Sequence, residues 1–223
     1  MGGGNSYQYD DDIKFYLPSC LNDIVQGVIA KSGDFFEIFN IKQANKFLKD
    51  GANILDIGAN IGNHSVYYAM VRKARKIHAF EPTRDVFEVL CKNIELNSLQ
   101  SIIKPHNIAL GECDGKASIK ERPAGNLGGT SLKADTSGEI IVKSLDDIQA
   151  EFDEKIDFVK IDVEGFESQV LLGAKAFLAY HKPTIMIEIH RPKFKEVSEI
   201  LDSLNYKLAE KLVSSVDFIY LPK

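Results

Sequence analysis

From residue 52 onward, short runs rich in β-branched residues alternate with segments that have the spacing of amphipathic helices. The predicted strands are 53–57, 76–80, 102–109, 156–163 and 184–189. The predicted helices are 64–72, 83–96, 166–178 and 194–204. Parallel neighbouring strands need long crossover connections, usually helices, and the alternation supplies them. The pattern therefore predicts a largely parallel sheet with helices on both faces.

The end of the chain departs from this alternation. Residues 206–213 and 216–221 form two predicted strands that only Ser214 and Ser215 separate. Two residues cannot make a parallel crossover, so this pair must be an antiparallel hairpin. A parallel sheet that ends in such a hairpin is typical of the methyltransferase variant of the Rossmann fold. We therefore predict an α/β, Rossmann-like methyltransferase fold with a mostly parallel seven-stranded sheet and a C-terminal antiparallel hairpin.

A glycine turn connects the first of these strands to the first helix. Open α/β sheets bind ligands at this edge. A dinucleotide fingerprint needs a second glycine near the pyrophosphate, and Asn60 stands there instead. Asp56 precedes the turn, where its charge would repel a diphosphate. Both residues suit S-adenosylmethionine, which has an ammonium group and no phosphate. Free N–H groups at the helix start, from Asn63 to Ser65, favour its carboxylate.

The next two strands add candidate cofactor ligands. Glu81 follows Gly58 by 23 residues (81 − 58), and Pro82 stops its strand. An acidic residue about 20 residues after the turn is the expected acceptor for ribose hydroxyls. Asn107 and Ile108, in the third strand, suit the edge and face of adenine. The residue pattern thus predicts these cofactor-binding residues: Asp56, Gly58, Ala59, Asn60, Gly62, Asn63, Ser65, Glu81, Pro82, Asn107 and Ile108.

Several motifs together resemble the FkbM-type methyltransferases between about residues 33 and 191. They are DIGANIG at 56–62, FEP at 80–82, ALG at 109–111, SLDD at 144–147, KIDVEGFE at 160–167, GA at 173–174 and EIH at 188–190. The resemblance implies S-adenosylmethionine-dependent O-methylation, often of sugar hydroxyls in glycans or natural products. Phe35, Phe36 and Glu37 resemble an aromatic–glutamate element of this family. This likeness implies that Glu37 helps to close over the cofactor.

Ionisable side chains gather near the ends of two central strands. Because side chains alternate along a strand, Lys160, Asp162 and Glu164 share one face, as do Glu188 and His190. Charged groups on buried strands need partners or a cleft. One interpretation is a buried Lys160–Glu188 ion pair that only joins two strands. The other is a catalytic site.

We predict three catalytic residues at this edge, His190, Asp162 and Glu188. His190 is the predicted general base because imidazole titrates near neutral pH. Asp162 is the alternative base, or it orients the acceptor. His64 is a weaker candidate. A divalent ion held by Asp162, Glu188 and His190 is chemically feasible, but the spacing is not a standard metal motif, so we predict no metal site.

Glycine, serine and threonine are frequent in residues 111–138, which contain a short alternating run at 116–121. We expect an extra hairpin here, then a loop at 124–138 that is either a lid over the acceptor or an ordinary solvated loop. Residues 1–50, with a predicted helix at 41–48, form an N-terminal extension and cap of the same domain. Residues 51–223 form the S-adenosylmethionine-binding part.

Composition limits the classes of partner. The net charge is −5, which weighs against nucleic-acid binding. The three cysteines are scattered, which argues against a disulfide framework or a zinc site. No apolar run approaches the length of a membrane-spanning helix. We therefore expect a cytoplasmic monomer or homodimer, with a small-molecule or glycan acceptor.

Two alternatives to O-methyl transfer stay open. The first is N-methyl transfer on the same fold. The catalytic loop of amine methylators, Asn or Asp followed by two prolines and an aromatic residue, is replaced here by DVEG at 162–165, which disfavours it. The second is a non-catalytic S-adenosylmethionine-binding scaffold. The candidate acids and His190 are all present, so nothing in the sequence favours the scaffold.

Overall fold

The computed structural model describes residues 6–9 and 13–223, and these contain thirteen strands and eight α-helices. The strands are β1 (Ser6–Tyr9), β2 (Ile13–Tyr16), β3 (Asn53–Ile57), β4 (Lys76–Phe80), β5 (Ile103–His106), β6 (Ala109–Leu110), β7 (Gly115–Glu121), β8 (Ser131–Ala134), β9 (Ile140–Lys143), β10 (Phe158–Ile161), β11 (Thr184–Glu188), β12 (Tyr206–Lys211) and β13 (Asp217–Pro222). The helices are α1 (Ile24–Ser32), α2 (Ile38–Ala44), α3 (Asn63–Met70), α4 (Arg84–Leu96), α5 (Leu145–Ile148), α6 (Glu167–Leu172), α7 (Lys175–His181) and α8 (Phe194–Ser203).

Seven strands form the main sheet in the order β12-β13-β11-β10-β3-β4-β5. Pairs among β11, β10, β3, β4 and β5 are parallel, whereas β13 is antiparallel to both β11 and β12. The predicted fold class, a mostly parallel seven-stranded sheet with a C-terminal hairpin, is therefore confirmed. Every residue of β3 is buried, as expected for a strand at the centre of a parallel sheet.

Helices cover both faces of this sheet, also as predicted. Ile54, Phe158 and Met186 point to the face that α1 to α4 cover. Their neighbours along the strands, such as Val159 and Ile187, point to the face that α5 to α8 cover. The alternation of side chains along each strand thus produces two apolar cores. Polar groups remain at the carboxyl ends of the strands, where both cores stop.

The predicted strand 102–109 is wrong as a single element. β5 ends at His106, and β6 begins at Ala109 in a different sheet. This second sheet has the order β6-β9-β7-β8. The chain leaves the main sheet at Asn107 because β6 pairs in parallel with β9. The second sheet contains the expected extra hairpin, β7 with β8, and β8 lies within the segment that we expected to be a loop.

The predicted helix 166–178 is also wrong as a single element, because α6 ends before Gly173 and α7 begins at Lys175. The carboxylate of Asp146 accepts hydrogen bonds from the backbone N–H groups of Ala176 and Phe177, at 3.1 and 2.8 Å. A side chain on another element therefore caps a new helix start. Helical periodicity continues across such a break, so the sequence pattern does not reveal it.

The N-terminal segment packs on the same core as α3 and α4. The N–H of Tyr16 donates to the Asn93 side chain at 2.6 Å, which attaches β2 to α4. The predicted helix 41–48 corresponds to α2 and the 3-10 turn after it. The division at residue 50 stays a prediction, and part of it, residues 1–5 and 10–12, lies outside the described residues. No helix in the described part of the chain has the length and apolar character needed to cross a bilayer.

Candidate functional site

A cavity of about 230 Å³ lies at the carboxyl ends of β3, β4, β10 and β11. The start of α1 and the segment from Asn126 to Leu132 form its other walls. Ten residues that the sequence predicted as site residues line it: Glu37, Gly58, Ala59, Asn60, Asn63, Glu81, Pro82, Ile108, Asp162 and Glu188. The structure therefore brings most of the predicted cofactor residues and two of the three predicted catalytic residues to one cavity.

The turn after β3 requires a glycine at its first position. Gly58 has a φ of +77°, and a Cβ there would lie 1.7 Å from the backbone oxygen of Asp162. The N–H groups of Gly58 and Ala59 both donate to the backbone oxygen of Phe80, at 3.0 and 2.9 Å. Asn60 also has a positive φ, of 51°. The turn is thus joined to β4 and to the end of β10, and it presents backbone to the cavity.

Glu81 is buried at the end of β4, and three donors in the structure occupy its carboxylate. One oxygen accepts from the N–H of Asn60 at 3.0 Å. The other accepts from the N–H of Thr83 at 2.8 Å and from the Thr83 hydroxyl. Burial raises the pKa of Glu81, and these hydrogen bonds oppose that shift. A carboxylate has about four lone-pair sites, so Glu81 retains about one for a ligand hydroxyl.

Four residues predicted to bind cofactor lie outside the cavity lining: Asp56, Gly62, Ser65 and Asn107. Asp56 is fully buried and accepts a hydrogen bond from the Ser65 hydroxyl at 2.6 Å. This hydrogen bond attaches the first turn of α3 to β3, outside the cavity lining. The side-chain amide of Asn107 donates to the backbone oxygens of Glu81 and Pro82. Asp56, Ser65 and Asn107 therefore support the turns that line the cavity.

His190, the predicted general base, also lies outside the lining, and its side chain is 54% exposed. Its Nε2 atom lies 3.7 Å from a carboxylate oxygen of Glu164 and 4.0 Å from one of Glu188. A 3-10 turn, Arg191–Lys193, follows directly, and none of its residues lines the cavity. His190 therefore stands at the rim, beyond the two carboxylates.

Lys160 does not form the ion pair with Glu188 that the sequence suggested. The strand register places Lys160 opposite Asp56 on β3 and opposite Met186 on β11. Its Nζ atom donates to the backbone oxygen of Gly58 at 2.8 Å and lies 3.2 Å from Asp162 and 3.6 Å from Asp56. Burial alone would lower the pKa of Lys160, but the two aspartates outweigh it and raise the pKa. Lys160 is thus a buried cation that holds the glycine turn.

Asp162 and Glu188 form a hydrogen-bonded carboxyl pair in the cavity wall. Burial raises the pKa of Glu188 to about 10, and the adjacent Asp162 reinforces the shift. Burial alone would raise the pKa of Asp162 too, but Lys160 outweighs it and lowers the pKa. Between the lowered pKa of Asp162 and about pH 10, the pair therefore holds one proton, with Glu188 as the protonated partner and Asp162 as the ionised one.

Glu37 contributes a further carboxyl group, at the N-terminal cap of α2. Burial raises the pKa of Glu37 to about 7, and Asp217 and Asp162 add to the shift. Near neutral pH Glu37 is therefore partly protonated, and the negative charge of the cavity wall comes mainly from Asp162, Glu81 and Glu164. This charge is complementary to the sulfonium and ammonium groups of S-adenosylmethionine.

Among the described residues, Glu164, Glu188 and His190 have side-chain atoms close enough together to share one metal ion, within 4.8 Å. The set considered from sequence contained Asp162 in place of Glu164. Asp162 faces the Lys160 ammonium instead, which would compete with a metal for its oxygens. The prediction that the protein uses no metal stays a prediction.

Many of the residues that line the cavity were not predicted as site residues, among them His64, Ile24 and Leu127. His64, a weak candidate from sequence, is buried in the lining; its Nε2 atom has no partner among the described residues, and burial lowers its pKa to about 4. Ile24 and Leu127 both line the cavity, and hydrogen bonds hold their segments together: Asp23 accepts from the Leu127 N–H at 2.8 Å, and the Ile24 N–H donates to the Gly125 carbonyl. These contacts join segments about 100 residues apart, and no local pattern marks them.

The sheet order, the C-terminal hairpin and the glycine turn beside Glu81 define a Rossmann-like methyltransferase domain. A family model described as "Methyltransferase FkbM domain" matches residues 56–208. The chain belongs to the FkbM methyltransferase family, as the sequence motifs predicted. S-adenosylmethionine is the methyl donor that this family and fold imply.

Known relatives are consistent with this assignment. Methyltransferase sdnD of Sordaria araneosa is 30% identical over 155 residues, which are 54% of this chain and 59% of that protein. Hexuronic acid methyltransferase AglP of Haloferax volcanii is 30% identical over 138 residues, 60% of this chain and 54% of that protein. The chain thus spans somewhat more than half the length of these relatives. The solved structure of Methyltransferase FkbM from Methylobacillus flagellatus KT shares the fold, with a TM-score of 0.57 and 23% identity over 78% of this chain and 44% of that one.

Proposed function

We propose that this chain binds S-adenosylmethionine in the cavity and transfers its methyl group to a hydroxyl of a polar, sugar-like acceptor. One observation carries the proposal. The glycine turn and Glu81, which suit a nucleoside, line the same cavity as the Asp162–Glu188 carboxyl pair, which suits a hydroxyl. A donor and an acceptor bound there would lie side by side, as a one-step displacement requires.

The residues at the β3 and β4 ends suit this cofactor. Gly58 brings backbone to the cavity where a Cβ would not fit, and Glu81 retains about one site for a ribose hydroxyl. The first N–H groups of α3, beside Asn63, favour a carboxylate. Bound there, S-adenosylmethionine supplies a methyl group made electrophilic by its sulfonium.

At the acceptor end, Asp162 is the group that is ionised and faces the cavity. It accepts a hydrogen bond from the acceptor hydroxyl and takes its proton as the oxygen–methyl bond forms and the carbon–sulfur bond breaks, with the electron pair staying on sulfur. Glu188 keeps its own proton and orients Asp162. His190 stays a candidate base or a relay to solvent, since it stands beside Glu188 at the rim.

One of the relatives supports this choice of acceptor at the level of chemistry. AglP, by its name, methylates a hexuronic acid, which is a sugar derivative. The proposal also retains the predictions of a cytoplasmic location, no nucleic-acid partner and a monomer or homodimer.

The test is transfer of isotopically labelled methyl groups from S-adenosylmethionine to a panel of sugars, alcohols and amines. We expect labelled methyl ethers, and we expect Asp162→Asn to lower turnover by roughly 10²–10⁴-fold with cofactor affinity changed only a few-fold. Asp50→Asn, at an exposed salt bridge with Arg72, is the matched control and should not change turnover.

The other outcomes separate the alternatives. Methylamine products would replace O-methyl transfer with N-methyl transfer. Cofactor binding without transfer to any acceptor would favour the scaffold. Loss of turnover on chelation, restored by a divalent ion, would assign a metal to Glu164, Glu188 and His190. Full turnover in Asp162→Asn would remove Asp162 from the mechanism, and His190→Ala would then be the next variant to measure.

A further inference from the structure

The charges that line the cavity are strongly unequal. Five carboxyl groups lie in the lining, those of Glu37, Glu81, Asp162, Glu164 and Glu188. Glu188 holds its proton, and Glu37, with a pKa of about 7, is partly protonated near neutral pH, so the negative charge comes mainly from Glu81, Asp162 and Glu164. Among the described residues, Lys160 is the one lysine or arginine that lines it. His64 also lies there, but its lowered pKa of about 4 leaves the imidazole neutral at physiological pH.

The Lys160 ammonium is not available to a ligand. An ammonium has three donor hydrogens, and three oxygens of the protein surround this one: the Gly58 carbonyl at 2.8 Å, Asp162 at 3.2 Å and Asp56 at 3.6 Å. The residue is 4% exposed. A ligand anion would therefore meet no free cation in the cavity.

The next cations along the chain do not change this. Arg191 and Lys193 follow His190 at the rim, but neither lines the cavity. Lys193 pairs with Glu196 at 3.0 Å on α8. An acceptor carboxylate or phosphate inside the cavity would be desolvated beside like charges, which is costly, whereas hydroxyl and ammonium groups can donate to the carboxylates.

We propose that the sugar ring methylated by this chain is uncharged or cationic, and that the cavity rejects a ring bearing a carboxylate or phosphate. This inference rests on the proposed function and refines its acceptor. It separates this chain from AglP, whose name specifies a hexuronic acid. The physical basis is exclusion: the site repels the wrong charge, since no basic group is free to bind it.

The test compares three pyranosides of the same ring size: methyl glucoside, its 6-carboxylate (the methyl glucuronide) and methyl glucosaminide. Their binding to the full chain, with S-adenosylhomocysteine present, is measured by saturation-transfer NMR, which does not need turnover. We expect the glucuronide to bind on the order of tenfold more weakly than the glucoside, and the glucosaminide at least as well as the glucoside. This difference should shrink in high salt, because the repulsion is electrostatic.

Two variants test whether the charge of the cavity causes this difference in affinity. Glu164→Gln removes one carboxyl group from the cavity lining. It should reduce the ratio of the glucuronide and glucoside dissociation constants severalfold. Glu199→Gln, at an exposed surface pair on α8, should leave it unchanged. Glucuronide binding equal to or tighter than glucoside binding, or binding of none of the three, would overturn the inference. Methyl transfer is measured separately: O-methylation of the glucuronide would preserve the proposed function while this inference fails, whereas absence of transfer to any hydroxyl would contradict the proposed function itself.

Discussion

Gly58 and Lys160 show how single residues hold the turn below the cavity. The turn approaches the end of β10 so closely that Gly58 has no room for a Cβ. Lys160, which lies on β10, donates a hydrogen bond to the Gly58 carbonyl. One residue permits the approach and the other stabilises it. Lys160 also forms buried ion pairs with Asp56 and Asp162. These pairs are costly to break, because removing one partner leaves an unpaired charge in the core.

We predict that Gly58→Ala destabilises the protein far more than Gly51→Ala. Both glycines have a positive φ, +77° and +68°, so both variants lose about 1–2 kcal/mol to the left-handed backbone. At Gly51 a Cβ meets nothing within 4 Å, whereas at Gly58 it meets backbone at 1.7 Å. We therefore expect a further loss of about 3 kcal/mol or more for Gly58→Ala, measured by denaturant unfolding or, if the variant is too unstable, by the yield of folded protein. Equal losses of unfolding free energy in the two variants would show that the glycine turn does not approach the end of β10 closely.

At the scale of elements, α1 and the segment from Gly125 to Leu132 close the cavity together. Asp23 connects them: one carboxylate oxygen caps α1 by accepting from the Gln26 N–H, and the other accepts from the Leu127 N–H. The segment that the sequence left as either a lid or an ordinary loop is therefore tied to a helix cap. Its order depends on an element about 100 residues away in the chain.

We predict that Asp23→Ala loosens this segment. Loss of the cap should lower the free energy of unfolding by about 1 kcal/mol. In addition, native-state hydrogen exchange at the Leu127 amide should become faster, since its acceptor is gone. Ser144→Ala is the matched control, because Ser144 caps α5 by accepting from the Asp147 N–H. It should cost a similar free energy without affecting Leu127, and equal exchange at Leu127 in both variants would contradict the link.

At the scale of the whole molecule, the acidic cavity links stability to pH. Burial raises the pKa of Glu188 to about 10 in the folded chain, far above its ordinary value of 4.5. Between those values the folded state binds one more proton than the unfolded state. This contribution to stability is full below pH 4.5 and is lost as pH rises towards 10. The lowered pKa values of His64 and His106 act in the opposite direction, but only below about pH 6.5.

We therefore predict that the free energy of unfolding falls between pH 7 and pH 9, by at most about 1.4 kcal/mol per pH unit from Glu188. Glu188→Gln removes the titrating group, so its curve should be flatter and its stability at pH 9 higher than that of the wild type. Glu199→Gln on the surface should follow the wild-type curve. Denaturant titrations at several pH values measure all three, and parallel curves for wild type and Glu188→Gln would show that Glu188 does not hold its proton in the fold.

The amino-acid sequence by itself determined the parallel sheet, its C-terminal hairpin, the glycine turn and the family. The sheet, the hairpin and the turn follow from local physics, namely side-chain periodicity, turn length and the conformations open to glycine, whereas the family follows from the resemblance of the motifs. Strand parity also indicated that Lys160 and Asp162 share one face of their strand, as do Glu188 and His190 of theirs. Local patterns further predicted nine of the residues that line the cavity, because they lie near the ends of parallel strands, which meet at one edge, and the family resemblance added Glu37.

Tertiary structure alone decided which of these groups meet. Parity does not specify register. The register places Lys160 opposite Asp56 and Met186, and Glu188 forms a carboxyl pair with Asp162 instead of the Lys160–Glu188 ion pair that was one interpretation of the sequence. Asp56 and Asn107 lie outside the cavity lining and stabilise the turns that form it. Their hydrogen-bond partners, Ser65 and the Glu81 carbonyl, belong to other segments of the chain. The predicted strand 102–109 is split because Ala109 and Leu110 pair with β9. The segment that contains Leu127 joins α1 because the Leu127 N–H donates to Asp23. Such contacts join residues distant in sequence, and only the folded chain brings them together.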